Sequence, residues 1–150
     1  MRHKLACTAA VLALAAAPAH AGLGESVDSI ARDHAALRGA SLHVTPAANW
    51  DLHEITTAQG TRVREYSSKS GTVFAVTWRG RMPDLHVLLA SHYAEYQAAT
   101  EARPANRRVL SIATPGLVMD AMKLPRGFTG SAHVPGLLPA GTSAQDLEAP

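Results

Sequence analysis

The chain has 150 residues, with 14 Lys+Arg, 12 Asp+Glu and a single cysteine. That length suits one domain, and a lone thiol excludes an internal disulfide framework. A formal net charge of +2 excludes a strong sequence-wide pull toward nucleic acid or an anionic membrane surface.

Residues 1–21 read as an export leader. Arg2, His3 and Lys4 form a basic head, and Leu5 to Ala17 an apolar run too short to span a bilayer. Ala19-His20-Ala21 completes an A-x-A cleavage site, with Ala17-Pro18-Ala19 as an alternative cut. Arg2 and Lys4 leave with this leader and no acid does, so the 14 basic residues fall to 12, matching the 12 acids. Cys7 leaves as well. It precedes most of the apolar run instead of following it, which argues against a lipidated cysteine. The remaining stretch of about 129 residues has no disulfide, no thiolate nucleophile and no cysteine-bound metal. It is large enough to fold without them, and no later apolar stretch is long enough to cross a membrane. The expected location is the periplasm, the cell surface or the medium.

Leu23, Val27, Ile30, His34 and Leu37 recur at helical spacing and predict an amphipathic helix over 25–38. Asp28 and Arg32 stand one turn apart on it, and Gly39 is placed for a C-terminal cap. Leu42-His43-Val44-Thr45, before Pro46, is a short extended piece. A three-stranded meander follows over 52–57, 61–67 and 72–79, turning at Ala58-Gln59-Gly60 and Ser68-Lys69-Ser70-Gly71. Centring the first turn on Gln59 sets Leu52 opposite Tyr66, His53 opposite Glu65, Glu54 opposite Arg64 and Ile55 opposite Val63. A four-residue second loop sets Val63 opposite Val76 and Glu65 opposite Phe74. Ile55, Val63, Phe74, Val76 and Trp78 then share the core face. Leu52, Glu54, Arg64, Tyr66, Val73 and Ala75 take the other. The third strand is apolar on both faces, as a central strand should be.

Pro83 and Asp84 open a second helix over 84–98, with Leu85, Leu88, Leu89, His92 and Tyr96 along one face. Thr100 to Asn106, containing Pro104, reads as a connection. Val109 to Ala113 and Leu117 to Leu124 are extended. Pro115-Gly116 between them favours a type II turn, whose twist suits a tight hairpin poorly, so a looser connection is predicted. A last strand runs over Phe128 to Val134. Pro135, Pro139 and Gly141 then break order, and 142–150 is predicted to be a flexible tail. The expectation is one α+β domain over 22–141. Its sheet is mostly antiparallel, the central meander plus C-terminal strands, with two amphipathic helices.

Three central stretches carry a family resemblance: Val63-Arg64-Glu65-Tyr66, then Val73-Phe74-Ala75-Val76-Thr77-Trp78-Arg79-Gly80, then Met82-Pro83-Asp84-Leu85. Near the C-terminus, Phe128-Thr129-Gly130-Ser131-Ala132-His133-Val134-Pro135 and Leu138-Pro139-Ala140-Gly141 add to it. Together they resemble the domain of unknown function 2844 family, small exported proteins of proteobacterial type. The chain departs from that pattern at Met119-Asp120-Ala121-Met122-Lys123, where relatives carry a Gly and a basic–aromatic pair. It departs again at Ser131, in place of a basic residue. The resemblance implies export and brings no activity, substrate or catalytic residue with it.

Six histidines lie beyond the leader: His34, His43, His53, His86, His92 and His133. His86 and His92 are six apart and point different ways on a helix, and no H-E-x-x-H or Cys/His cluster occurs, so no metal site is expected. No G-x-S-x-G elbow and no Gly-rich phosphate loop are present, and no cofactor is expected. Asp51, His53 and Glu65 can form an acid–base group if the register holds, but His53 opposite Glu65 is read first as a cross-strand polar pair. Arg62, Arg64, Arg79 and Arg81 fall near the ends of adjacent strands and are the candidate patch for carboxylate, phosphate or polysaccharide groups. Glu54 opposite Arg64 is the competing explanation, a solvated ion pair. Trp78 is expected in the core; Trp50, just before a strand, is read first as packing, with a rim contact or a stacking platform for sugar as the alternatives. The reading is a non-catalytic binding or accessory module of the periplasm or cell surface, with an envelope protein or glycan as partner and no nucleic acid. Its alternatives are a small hydrolase-type enzyme using His53 and Glu65, and a structural subunit of a surface assembly that pairs through the second helix or an open sheet edge.

Overall fold

The computed structural model describes residues 22–102 and 108–147; the expected leader over 1–21 lies outside them, as does part of the 100–106 connection. Seven strands form one antiparallel sheet: β1 (Gly39–Pro46), β2 (Trp50–Thr57), β3 (Arg62–Ser68), β4 (Val73–Gly80), β5 (Val109–Ala113), β6 (Val118–Leu124) and β7 (Gly127–His133). Their order across the sheet is β1-β2-β3-β4-β7-β6-β5. The meander supplies one half and the C-terminal strands the other, joined where β7 pairs with β4. Helices α1 (Ile30–Ala36), α2 (Leu85–Leu89) and α3 (Tyr93–Glu101) provide the helical part of this α+β fold. Among the described residues, no helix is long and apolar enough to cross a membrane.

The first hairpin has the register that its turn and alternation dictate, with Leu52↔Tyr66, His53↔Glu65, Glu54↔Arg64 and Ile55↔Val63. Gly60 at its turn takes φ 78. The second hairpin is two residues out of the predicted register: Val63 lies opposite Trp78, and Glu65 opposite Val76. Two local features make up the difference. Ser68 and Thr72 close the turn (Ser68 N–H to Thr72 O, 2.8 Å), leaving three residues outside the pairing instead of four. A bulge then follows, where Tyr66 faces Ala75 but Ser67 faces Val73. One inserted residue reverses the inward–outward alternation beyond it. Val73 therefore joins the main core and Phe74 the opposite face, exchanging the places predicted for them.

Side chains from α1, α2 and one face of the sheet form the main core: Ile30, Leu85, Leu88, Leu89, Ile55, Val63, Val76, Trp78, Ile112, Met119 and Ala132. Central β4 is buried from Val73 to Trp78, as its apolar composition requires. The predicted first helix begins as a 3-10 turn at Val27–Ser29, and its left-handed terminal residue is Arg38 (φ 52), with Gly39 opening β1. The predicted second helix is broken. Ala90 adopts φ 46 and ψ −119, separating α2 from α3 through a 3-10 turn at Ala90–His92. Asp84 caps α2 by accepting from the His86 N–H at 2.9 Å.

The β5–β6 connection is tighter than predicted. Thr114 and Leu117 pair through backbone (2.9 Å), and the Thr114 hydroxyl both donates to the Leu117 carbonyl and accepts from its N–H, each at 2.9 Å. Gly116 does not take the positive φ of a type II turn, so the twist mismatch does not arise. Order also continues past Gly141. Ser143 and Asp146 form a capping box around a short 3-10 turn, and Leu147 is buried with Tyr66, Phe74 and Ala75, flanked by Trp50, Leu52 and Leu138. The predicted tail from 142 thus packs on the second face of the sheet through Leu147, because that face presents an apolar cluster that water would otherwise meet.

Candidate functional site

The pairing of the strands sorts the second face into rows running across the sheet. The row Leu52, Tyr66, Ala75 lies under the C-terminal segment. The next row is Glu54, Arg64, Thr77, Ser131, Asp120, and the third is Thr56, Arg62, Arg79, Thr129, Met122. Alternation alone puts Arg62, Arg64 and Arg79 on one face and brings Arg62 directly opposite Arg79. Like charges placed opposite on neighbouring strands destabilise a sheet.

One carboxylate answers part of this charge. Arg64 Nε donates to Glu54 Oε2 at 2.8 Å, while Arg62 Nε stands 3.8 Å from Glu54 Oε1. Glu54 thus pairs with two members of the predicted patch, closely with Arg64 and more distantly with Arg62, as the ion-pair explanation requires. Arg62 and Arg79 line a cavity of about 360 Å³ together with Gly60 and Gly80. Arg79 and Gly80 also line a second one of about 450 Å³, with Leu124, Pro125, Arg126 and Phe128. Arg126 enters the site from the β6–β7 turn. The backbone makes this meeting close: a Cβ at Gly127 would lie 2.3 Å from the Gly80 carbonyl oxygen, and Gly127 has φ 138. Arg81 is set apart. Its backbone N–H donates to Thr61 Oγ1 at 3.0 Å, and it lines a third cavity, of about 380 Å³, with Arg38, Gln59 and Asp84. Asp84 is the acid among the residues lining these three cavities, against five arginines.

The patch read from the sequence is therefore divided by the fold. Arg62 and Arg79 come together, Arg62 and Arg64 share Glu54, Arg81 lines a neighbouring cavity, and Arg126 and Arg38 are additions. Arg126 sits in Pro125-Arg126-Gly127, a turn signal whose partner strand the sequence does not disclose.

His53 and Glu65 are register neighbours on the helix-covered face, as predicted, but each meets a different partner. His53 Nε2 bonds Ser67 Oγ at 2.9 Å, and burial pushes the imidazole pKa down, with Asp51 opposing, so the ring is neutral near pH 7. Glu65 neighbours Asp33 of α1, and both carboxyls are completely buried. No donor among the described residues reaches either one, so burial favours their protonated forms. Burial pushes Asp33 up to about 7, and burial together with the neighbouring Asp33 raises Glu65 well above its usual range. Neither His53 nor Glu65 lines the three cavities at the arginine end or the shallow one at Val109 and Met122. Among the described residues, no group of three or more His, Cys, Asp or Glu is placed to hold a metal ion.

No curated protein and no solved structure matches the chain. The family model described as Protein of unknown function (DUF2844) matches residues 19–147, which is most of the sequence and includes all of the described domain, and the chain belongs to that family.

Proposed function

We propose that this protein is an exported, non-catalytic accessory module of the cell envelope that holds an anionic group at the arginine end of its sheet. The observation that carries this reading is the direct opposition of Arg62 and Arg79, with Arg126 beside them. A carboxylate or phosphate bound between these two strands accepts from the guanidinium forks of both. The leader-like N-terminus supports an envelope location. The division of His53 and Glu65 between different partners supports binding over hydrolysis.

The test is retention of the folded protein on immobilised polygalacturonate and on phosphocellulose at low salt. Wild type is expected to be retained on at least one matrix, and Arg62→Gln/Arg79→Gln to elute markedly earlier with unchanged circular dichroism. Equal elution of the two overturns the reading. A second reading, a subunit of a surface assembly, draws on edge strand β1, where Leu42 and Val44 are 40% and 48% exposed and Ser41 to Thr45 carries no formal charge. Light scattering that finds only monomer at high concentration removes it.

A further inference from the structure

The arginine site is one part of a longer feature that appears only when the strands are laid side by side. Five neighbouring strands, β3, β4, β7, β6 and β5, each place a basic residue at the same end of the sheet. These residues are Arg62 at the start of β3, Arg79 next to last in β4, Arg126 just before β7, Lys123 next to last in β6, and Arg108 just before β5. The antiparallel pairing fixes the alignment: Arg62 faces Arg79, and the Lys123 N–H donates to the Arg108 carbonyl at 2.9 Å. Arg38, immediately before β1, extends the same end on the far side. At the opposite end, Asp51 and Lys69 form an ion pair at 2.6 Å, and Asp28 lies nearby in the segment bonded to the β3–β4 turn through Val27. A chain whose overall charge is close to balanced thus carries a basic rim.

From β3 to β5 the rim crosses four strand spacings of about 4.8 Å, roughly 19 Å in all. A single small anion meets one or two of these stations; a linear polyanion running along the strand ends spans the row, with Arg62 and Arg79 on one face of the sheet and Lys123, next to Met122, on the other. We infer that the rim binds a linear acidic polysaccharide, laid across the strand ends with its carboxylates on Arg62, Arg79, Arg126, Lys123 and Arg108. This deepens the anion-binding reading above and rests on it.

Two observations favour a uronic-acid glycan over a nucleic acid. Base-stacking platforms need exposed aromatic rings along the track. Phe128 is the aromatic lining the rim cavities, whereas Trp50, Tyr66 and Phe74 stack on one another in the cluster beneath Leu138 and Leu147. The cavity beside Arg79 is walled by Leu124, Pro125 and Phe128, apolar surface suited to the C–H faces of sugar rings.

The experiment is titration of the folded protein with galacturonate, oligogalacturonates of increasing length, oligo(dT) and polyphosphate. Wild type is compared with Arg126→Gln, Lys123→Gln and the opposite-end control Lys69→Gln. Affinity is expected to rise with oligogalacturonate length and to exceed that for oligo(dT) and polyphosphate at equal charge. Arg126→Gln and Lys123→Gln should each weaken the longest oligomer roughly fivefold and flatten its salt dependence by about one unit of slope, with Lys69→Gln unchanged. Equal affinity for galacturonate and its oligomers, or silence of both rim variants, overturns the polysaccharide inference while leaving the Arg62–Arg79 site standing. Tighter binding of oligo(dT) or polyphosphate overturns it in favour of that polyanion. Absence of binding to every anion overturns both readings.

Discussion

Raising the pH through neutrality should loosen the hold of α1 on the sheet. Asp33 of α1 and Glu65 of β3 are fully buried neighbours, and no donor among the described residues reaches either carboxyl. The folded protein keeps the Asp33 carboxyl protonated up to about 7, against 3.8 for an ordinary aspartate. A group whose pKa is raised by folding stabilises fully below its unfolded value, and that stability is lost as pH climbs through the folded value. Here the window runs from about 3.8 to about 7. At about 1.36 kcal/mol per unit, the loss is about 4 kcal/mol, a large share of a domain's stability. Glu65, also raised, extends the loss to higher pH. His53 and His133 act in the opposite sense: burial lowers both, so their contribution falls away as pH drops below 6.5. The decisive measurement is therefore a difference. Urea unfolding of wild type and Asp33→Asn is followed from pH 4 to pH 8.5. The asparagine amide donates to Glu65 without titrating, so wild type should lose about 4 kcal/mol relative to the variant across this range and be the less stable of the two above neutrality. A difference constant to within about 1 kcal/mol would refute the account of a carboxyl kept protonated by burial.

Two packing predictions accompany it. A Cβ at Gly130 would stand 2.3 Å from Trp78 Cζ2, so Gly130→Ala must displace the buried indole. The expected cost is roughly 2 kcal/mol in chemical denaturation, with a changed near-ultraviolet circular dichroism of tryptophan; an unaltered spectrum and midpoint would contradict the packing. Leu147→Ala should cost roughly 2 kcal/mol, because that side chain is buried against Tyr66 and Phe74, whereas a loose tail would make the substitution silent.

Much of the architecture follows from local rules that act within a few residues. The Gln59-centred turn and the period-two alternation of Leu52 to Tyr66 dictate the first hairpin register outright, because a one-residue slip would turn every apolar side chain outward. The apolar run of β4 likewise specifies a strand covered on both faces. The bulge at Phe74 was not legible. It trades local pairing for a better fit on both faces, which depends on what Leu138, Leu147 and Ile30 bring from distant parts of the chain. Asp33 had a weaker trace: it stands three residues after Ile30 and four before Leu37, inside the apolar stripe, yet a carboxylate is read as solvated unless burial keeps it protonated. Glu65 alternates inward with Val63 and carries the same ambiguity. The basic rim is the clearest division between the two levels. Composition and sequence order determined a near-balanced charge, strands of the right length and Arg62, Arg79 and Arg81 near strand ends. The order β3-β4-β7-β6-β5 alone decided that Arg126, Lys123 and Arg108 join them. Long-range strand pairing is set by burial of the whole sheet against its helices, and no local preference in the chain encodes it.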